Sequence, residues 1–313
     1  TGTMPYHRAM PLLLSNEDVA ALLSMPDCVA ALEGAYRQLA DGDAVGAANS
    51  EAVAPAAGSD RIYQLKNMSG VIPTEGVAAL RLTSDIIAFA DNRQKKLPLA
   101  PGARYTGLIL LFSTTTGEPL AIFPDGIVQR MRVGATSALG AKMLARADAR
   151  SVGLLGAGAQ AEAQVLAITA THRIEIIRCY SPNPERRAAF CRRLGEAAGV
   201  RIEPVAQPQE AVREADIVLC ATNSSRPVFF AEWFSEGMHV STIRGAELTP
   251  EVIRCADKVM IHERRGHGSS LATRGVRLPE VWMAIAGMPE IEQAPTLAEV
   301  LSGRTPGRQS AQE

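Results

Sequence analysis

Near the middle of the chain, Gly156-Ala157-Gly158-Ala159-Gln160-Ala161 follows a short apolar run and opens a helical one. The first glycine of such a G-x-G-x-x-A turn permits a tight bend. The second lets backbone approach a bound group, and a small third residue lets strand and helix pack closely. Free N–H groups at the helix start, backed by the helix dipole, suit a phosphate. The chemistry served is pyrophosphate binding at Gly156, Gly158, Ala159 and Gln160. An ordinary Gly-rich turn gives the same pattern, but four more strand-like runs follow, and they favour a dinucleotide site.

The next strand bears on which dinucleotide. It ends in "CYSPNPERR", offering Ser181 and Asn183 as hydrogen-bonding groups and Arg186 and Arg187 as charges, with no carboxylate before Glu185. An acid here would hold a ribose 2′-OH, whereas a basic neighbourhood accommodates a 2′-phosphate, so NADP(H) is favoured over NAD(H). The alternative is that both arginines lie on a solvated helix face. Thr222, Asn223 and Ser224 close a later strand and either border the nicotinamide ribose or simply form a turn. Upstream of the turn, "PDGIVQRMRVGATSALG" carries Asp125 at a helix start and Arg132 one to two turns inside, beside the small residues Gly134 and Ala135. An arginine so placed is able to meet a carboxylate bidentately; a surface salt bridge is the other reading of the spacing. His7, His172, His239, His262 and His267 have no ligand spacing, and no metal is assigned.

These residues need elements to position them. Ser15 is a candidate N-cap and Gly42 a candidate stop for one or two amphipathic helices. Residues 43–126 hold short β-rich runs separated by turn signals, which reads as an antiparallel sheet packed on those helices. From Ile127 a helix precedes alternating strands and helices, including "DIVLCAT", "MHVSTI" and "KVMIHE", and this alternation calls for a parallel sheet covered on both faces. The last fifty residues hold only short helical stretches such as "PTLAEVLSG". A length of 313 residues suits two domains. With a net charge of −1, nothing favours nucleic acid as a partner. The five cysteines are widely spaced and odd in number, which fits reduced thiols in the cytoplasm. No apolar run approaches the roughly 20 residues of a membrane span, and the start lacks a signal peptide's apolar region.

Together these motifs resemble the ornithine cyclodeaminase/μ-crystallin family. The matching features are "GEPLA", Asp125-Gly126, the R-x-G-A-x-S-A helix from Arg132 to Ala138, the turn from Gly156 to Ala161, "ADIVLCATNSSRPVF", "EVLSG" and the opening "LLSNEDVAALL". The resemblance covers most of the chain. It implies an α/β fold in which a Rossmann doubly wound parallel sheet, residues 127–284, is inserted in an α+β dimerisation and substrate domain, residues 1–126 plus about 285–313, of a homodimer. It also implies hydride transfer at the alpha carbon of a small amino or imino acid, leading to deamination with cyclisation or to ketimine reduction. The alternatives are a non-catalytic NADP(H)-binding protein and an amino-acid dehydrogenase with net oxidation. By the resemblance Arg132 clamps the substrate carboxylate. Arg81 stands at the position of the family's lysine, where it could clamp a carboxylate but not act as a general base. Asn49-Ser50 replaces a second arginine. Glu247 is the carboxylate nearest the family's catalytic Asp, and it either takes that role or begins the next helix. The family continues past "LSGRTPGRQS" with a strand and helix, so part of the nicotinamide pocket is expected to be missing or supplied differently.

Overall fold

The computed structural model describes residues 10–56, 61–90, 93–97, 107–264, 285 and 287–313; His7 and His267 lie outside them. Two serines start the first two helices. Ser15 Oγ accepts from the Asp18 N–H while the Asp18 carboxylate accepts from the Ser15 N–H, a reciprocal cap that opens α1 (Asn16–Leu22). Ser24 Oγ accepts from the Asp27 N–H at the start of α2 (Met25–Asp41), which ends on Gly42 at φ +85°.

The first sheet comprises β1 (Leu12–Leu13), β2 (Val45–Gly46), β3 (Ser50–Pro55), β4 (Ile62–Ile72), β5 (Val77–Ala90), β6 (Arg93–Leu97), β7 (Leu108–Ser113) and β8 (Pro119–Pro124). Its order is β1-β8-β7-β5-β4-β2, with β3 also on β4 and β6 also on β5. All pairs are antiparallel except β1 with β8. Long hairpins between consecutive strands account for this: Gly76 at φ +70° turns β4 into β5, pairing Met68 with Arg81 and Lys66 with Thr83.

Helix α3 (Gly126–Leu144) then leads into the second sheet: β9 (Ser151–Leu155), β10 (Ile176–Tyr180), β11 (Arg201–Pro204), β12 (Ile217–Cys220) and β13 (His239–Thr242). These five are parallel in the order β11-β10-β9-β12-β13, as buried apolar runs linked by helices require. The linking helices are α4 (Ala159–Thr171), α5 (Pro184–Ala198) and α6 (Pro208–Val212); α7 (Pro250–Cys255), α8 (Pro289–Glu292) and α9 (Leu297–Leu301) follow. The run "KVMIHE" is not a further strand: Ile261 makes only an isolated bridge to Thr296. Among the described residues no single helix is long and apolar enough to cross a membrane.

The two sheets meet through helices. Leu297 and Leu301 of α9 pack with Met25, Cys28 and Val29 of α2, and with Ala135, Ala138 and Leu139 of α3. Ala163 and Ala167 of α4 complete this cluster. Ile285 and Met288 instead join Phe229, Val252 and Ile253 beside the parallel sheet. At the crossing of α3 and α4, Gly134 faces the Ala163 backbone so closely that a Cβ there would collide with its carbonyl. Gln164, almost fully buried, donates through Nε2 to Ser137 Oγ at 3.1 Å and clasps the same two helices.

Gly134→Ala is therefore expected to lower stability by about 1–3 kcal/mol, because the obstacle is backbone. Gly140→Ala, whose added Cβ would meet only the flexible end of Met260 at 3.4 Å, should be neutral or stabilising. Urea midpoints of the two variants check this. His239 tests burial at the first residue of β13. Burial, together with the charges of Arg308 and His172, pushes its imidazole down to about 3. The unfolded chain takes up that proton near pH ~6.5, so stability is fullest above that pH and falls as pH drops toward 3. His239→Asn should show a shallower loss between pH 7 and 4 in urea melts.

Candidate active site

Strand β9 ends at the turn. Gly156 adopts φ +125°, and a Cβ on it would collide with the Ala221 carbonyl, so only glycine serves there. Its N–H donates to the Tyr180 carbonyl at 2.8 Å, fixing the turn between the ends of β9 and β10. Gly158 is the N-cap of α4 and makes no side-chain cap bond; a Cβ on it would meet no atom within 4 Å. Open space therefore lies beside the N-cap of α4, at the crevice where the strand order reverses. A strand, a glycine turn and a helix N-terminus in this arrangement suit a dinucleotide pyrophosphate, and Gly156, Gly158, Ala159 and Gln160 lie together in it.

At the end of β10, Asn183 caps α5 by accepting the Arg186 N–H at 2.8 Å. Arg187 bends back, donating through Nη1 to the Ser181 carbonyl at 2.5 Å, with its guanidinium 5.6 Å from the centre of the Tyr180 ring. Arg186 is exposed on the first turn of α5. The two arginines of the sequence motif therefore have different surroundings.

A cleft of about 1060 Å³ runs from the turn along α3 and β13. Gln129, Arg132, Gln160, Thr222 and Asn223 line it. Ser224 belongs to the turn beyond: its N–H donates to Thr222 Oγ1 and its hydroxyl to the Arg226 carbonyl. Arg132 is carried on the face of α3 that also bears Gln129, three residues earlier. Its positive charge reaches Tyr36 and Cys28. In both, burial is the larger effect and raises the pKa, that of Cys28 to about 11, while Arg132 pulls it back down.

Arg81 and Glu247 are not among the residues lining this cleft, and each is engaged with partners inside the protein. Arg81 Nε donates to Asp125 Oδ1 and its Nη2 approaches Oδ2, both at 2.7 Å, while Nη1 approaches Met68 Sδ at 3.0 Å. The carboxylate it clamps is the protein's own. Asp125, in the N-cap position of α3, makes no cap bond, because its carboxylate is turned to Arg81. Glu247 is fully buried. Its Oε1 accepts from the Thr222 N–H and hydroxyl at 2.6 and 2.7 Å. Its Oε2 accepts from the Thr242 hydroxyl at 2.7 Å and from the Ile243 and Arg244 N–H groups, both at 3.2 Å. Burial raises its pKa, an effect the threonine bonds only partly offset. Nor does it begin the next helix: it ends the 3-10 turn Gly245–Glu247, and α7 starts at Pro250.

Reading by residue type missed Gln129. Its Oε1 accepts from Gln160 Nε2 at 3.0 Å, joining α3 to the dinucleotide turn. The available signal was its i, i+3 spacing from Arg132. Among the described residues no group of three or more His, Cys, Asp or Glu is placed to hold a metal.

Glu247→Gln keeps the shape but replaces one acceptor oxygen with a donor amide, leaving at least one backbone N–H, that of Thr222 or of Ile243, without its partner. It is expected to lower stability by about 1–3 kcal/mol, read as a drop in thermal midpoint, without displacing the pH profile of turnover.

The profile of the ornithine cyclodeaminase/mu-crystallin family matches residues 9–313. A Delta(1)-pyrroline-2-carboxylate reductase of Bacillus cereus (strain ZK / E33L) is 30% identical over 255 residues, covering 79% of this chain and 75% of the relative. Among solved structures, the Thermococcus litoralis Delta(1)-pyrroline-2-carboxylate reductase in complex with NADH and L-proline is 25% identical with a TM-score of 0.78, over 96% of this chain and 90% of that one. An archaeal alanine dehydrogenase dimer with bound NAD is also 25% identical, with a TM-score of 0.76 over 97% of this chain and 88% of that one. A glycine turn shaped for a pyrophosphate, a cleft-lining arginine one helix away and matches along nearly the whole length lead to one conclusion: the chain belongs to the ornithine cyclodeaminase/mu-crystallin family and is an NAD(P)-dependent enzyme of the imine reductase and cyclodeaminase kind.

Proposed function

We propose that this protein reduces a small cyclic imino acid with a nicotinamide cofactor, as a homodimer. The observation that carries this reading is the division of charge around the turn. Arg132 lines the cleft beside the turn, whereas the neighbouring acids Asp125 and Glu247 are buried and committed to partners. A reduced nicotinamide, bound at the turn, supplies a hydride. Arg132 offers a planar fork that holds the substrate carboxylate and so orients the adjacent C=N carbon. A cyclic imine takes its proton from water and is electrophilic once protonated, so hydride addition asks no acid of the protein. Cyclodeamination must instead manage protons at a departing ammonia, for which a titrating group at the reacting centre is needed. Glu247, the carboxylate closest to that role by sequence, is walled off.

The likeness to pyrroline-2-carboxylate reductases supports a five-membered ring imine as substrate. The likeness to an alanine dehydrogenase supports a second reading, oxidation of a linear amino acid, and its dimer supports the proposed assembly. For the cofactor we infer NADPH, on the exposed Arg186 at the start of α5 and the absence of a carboxylate before Glu185. The five cysteines are free, which fits the reducing cytoplasm.

The test is to supply Delta(1)-pyrroline-2-carboxylate with NADPH or NADH and follow the reduced-nicotinamide absorbance. Consumption of cofactor, faster with NADPH, is expected. Arg132→Lys keeps the charge and loses the fork, so it should raise the KM for the imine about tenfold while cofactor affinity is retained. Ammonia release from ornithine without net cofactor change would replace this reading with a cyclodeaminase, and turnover of alanine alone with a dehydrogenase.

A further inference from the structure

Gln129 and Gln160 connect the dinucleotide turn to the face of α3 that carries Arg132. Gln160 is the second residue of α4, inside the turn shaped for the pyrophosphate. Gln129 is in the first turns of α3, on the same face as Arg132, and both line the cleft. The bond from Gln160 Nε2 to Gln129 Oε1, 3.0 Å, spans the gap between them. In that arrangement Gln160 Oε1 is buried without a hydrogen-bond partner. An unsatisfied buried acceptor penalises the pair as it stands and leaves it responsive to a change at the turn.

The helices themselves are poor carriers of such a change. Gly134 against the Ala163 backbone and the Gln164–Ser137 clasp hold α3 and α4 together just below the cleft. A shift at the first turn of α4 therefore passes to α3 through side chains rather than by sliding one helix on the other. Gln129 is the side chain in position to receive it.

We infer that Gln129 is a positioning residue that couples the two ligands: a dinucleotide at the turn sets Gln160, Gln160 sets Gln129, and Gln129 presents its amide N–H groups beside Arg132 to the substrate carboxylate. This rests on the reductase reading above, because it needs a carboxylate at Arg132 and a dinucleotide at the turn. Coupling of this kind is reciprocal, so each ligand tightens the other by the same factor.

L-Proline and NADH are the probes, since together they are a non-reacting pair. Titration of the intact protein with L-proline, with and without saturating NADH, gives the coupling as the ratio of the two Kd values. We expect a ratio of about ten or more for the unaltered protein. It should fall to within about twofold of unity in Gln129→Ala and in Gln160→Ala, with no further loss in the double variant. NADH should still raise the thermal midpoint of Gln129→Ala, which an unfolded or collapsed turn would not allow. Gln129→Met, of similar volume, gives the same readout should the alanine variant fail to fold. A ratio retained in the Gln129 variants, or a ratio of one in the unaltered protein, overturns the coupling and leaves the reductase reading standing. Failure of L-proline to bind at all, with NADH present, overturns both.

Discussion

The contact between α3 and α4 is the constraint on which the site depends. One helix carries the cleft-lining Arg132 and the other begins at the glycine turn, so the distance between them is set by how closely the two helices pack. Gly134 against the Ala163 backbone makes that approach as short as two helices allow. Ala135, Ala138 and Leu139 continue the seam into a cluster with α2 and α9. Small residues do here what long side chains could not: they remove the compliance that would let the arginine drift from the turn.

Buried acids serve the frame rather than the chemistry. Asp125 takes both ends of the Arg81 fork and ties the first sheet to the start of α3. Glu247 gathers donors from the loops after β12 and β13 and fixes the edge of the crevice. Asp216 does the same at the opposite end of the sheet, accepting from the Arg150 and Ser151 N–H groups at 2.8 and 2.9 Å and pairing with Arg146. Burial works against its charge, yet these bonds outweigh it and lower its pKa. Those carboxylates are engaged with protein partners, and the cleft beside the turn carries Arg132 with Gln129, Gln160, Thr222 and Asn223, its lining also including Arg244, Lys258, Arg308, Glu236 and Asp257.

The charge of Arg81 is spent on Asp125. Gln129 places an amide beside Arg132 on α3, bonded to the turn. Arg132, Gln129 and Gln160 thus sit on α3 and α4, which the Gly134 seam holds rigidly, and a site on rigid elements keeps its geometry better than one on loops.

Local chemistry made much of this legible in the linear chain. Ser15 and Gly42 mark helix ends because capping involves residues three or four apart. Gly156 and Gly158 mark the turn because its backbone demands are met within six residues. The alternation of apolar runs and helices marked a parallel sheet, whose strand order the tertiary structure shows. The fates of Arg81 and Glu247 were not legible. Arg81 meets a carboxylate 44 residues away, and Glu247 meets Thr222, 25 residues away. Sequence spacing carries no record of either distance. Residue types and short spacings thus determined the elements, the turn and the candidate clamp, while tertiary structure alone decided which charges face the cleft. The physical reason is that a buried charge must find a partner, and whichever group the fold brings within reach takes it.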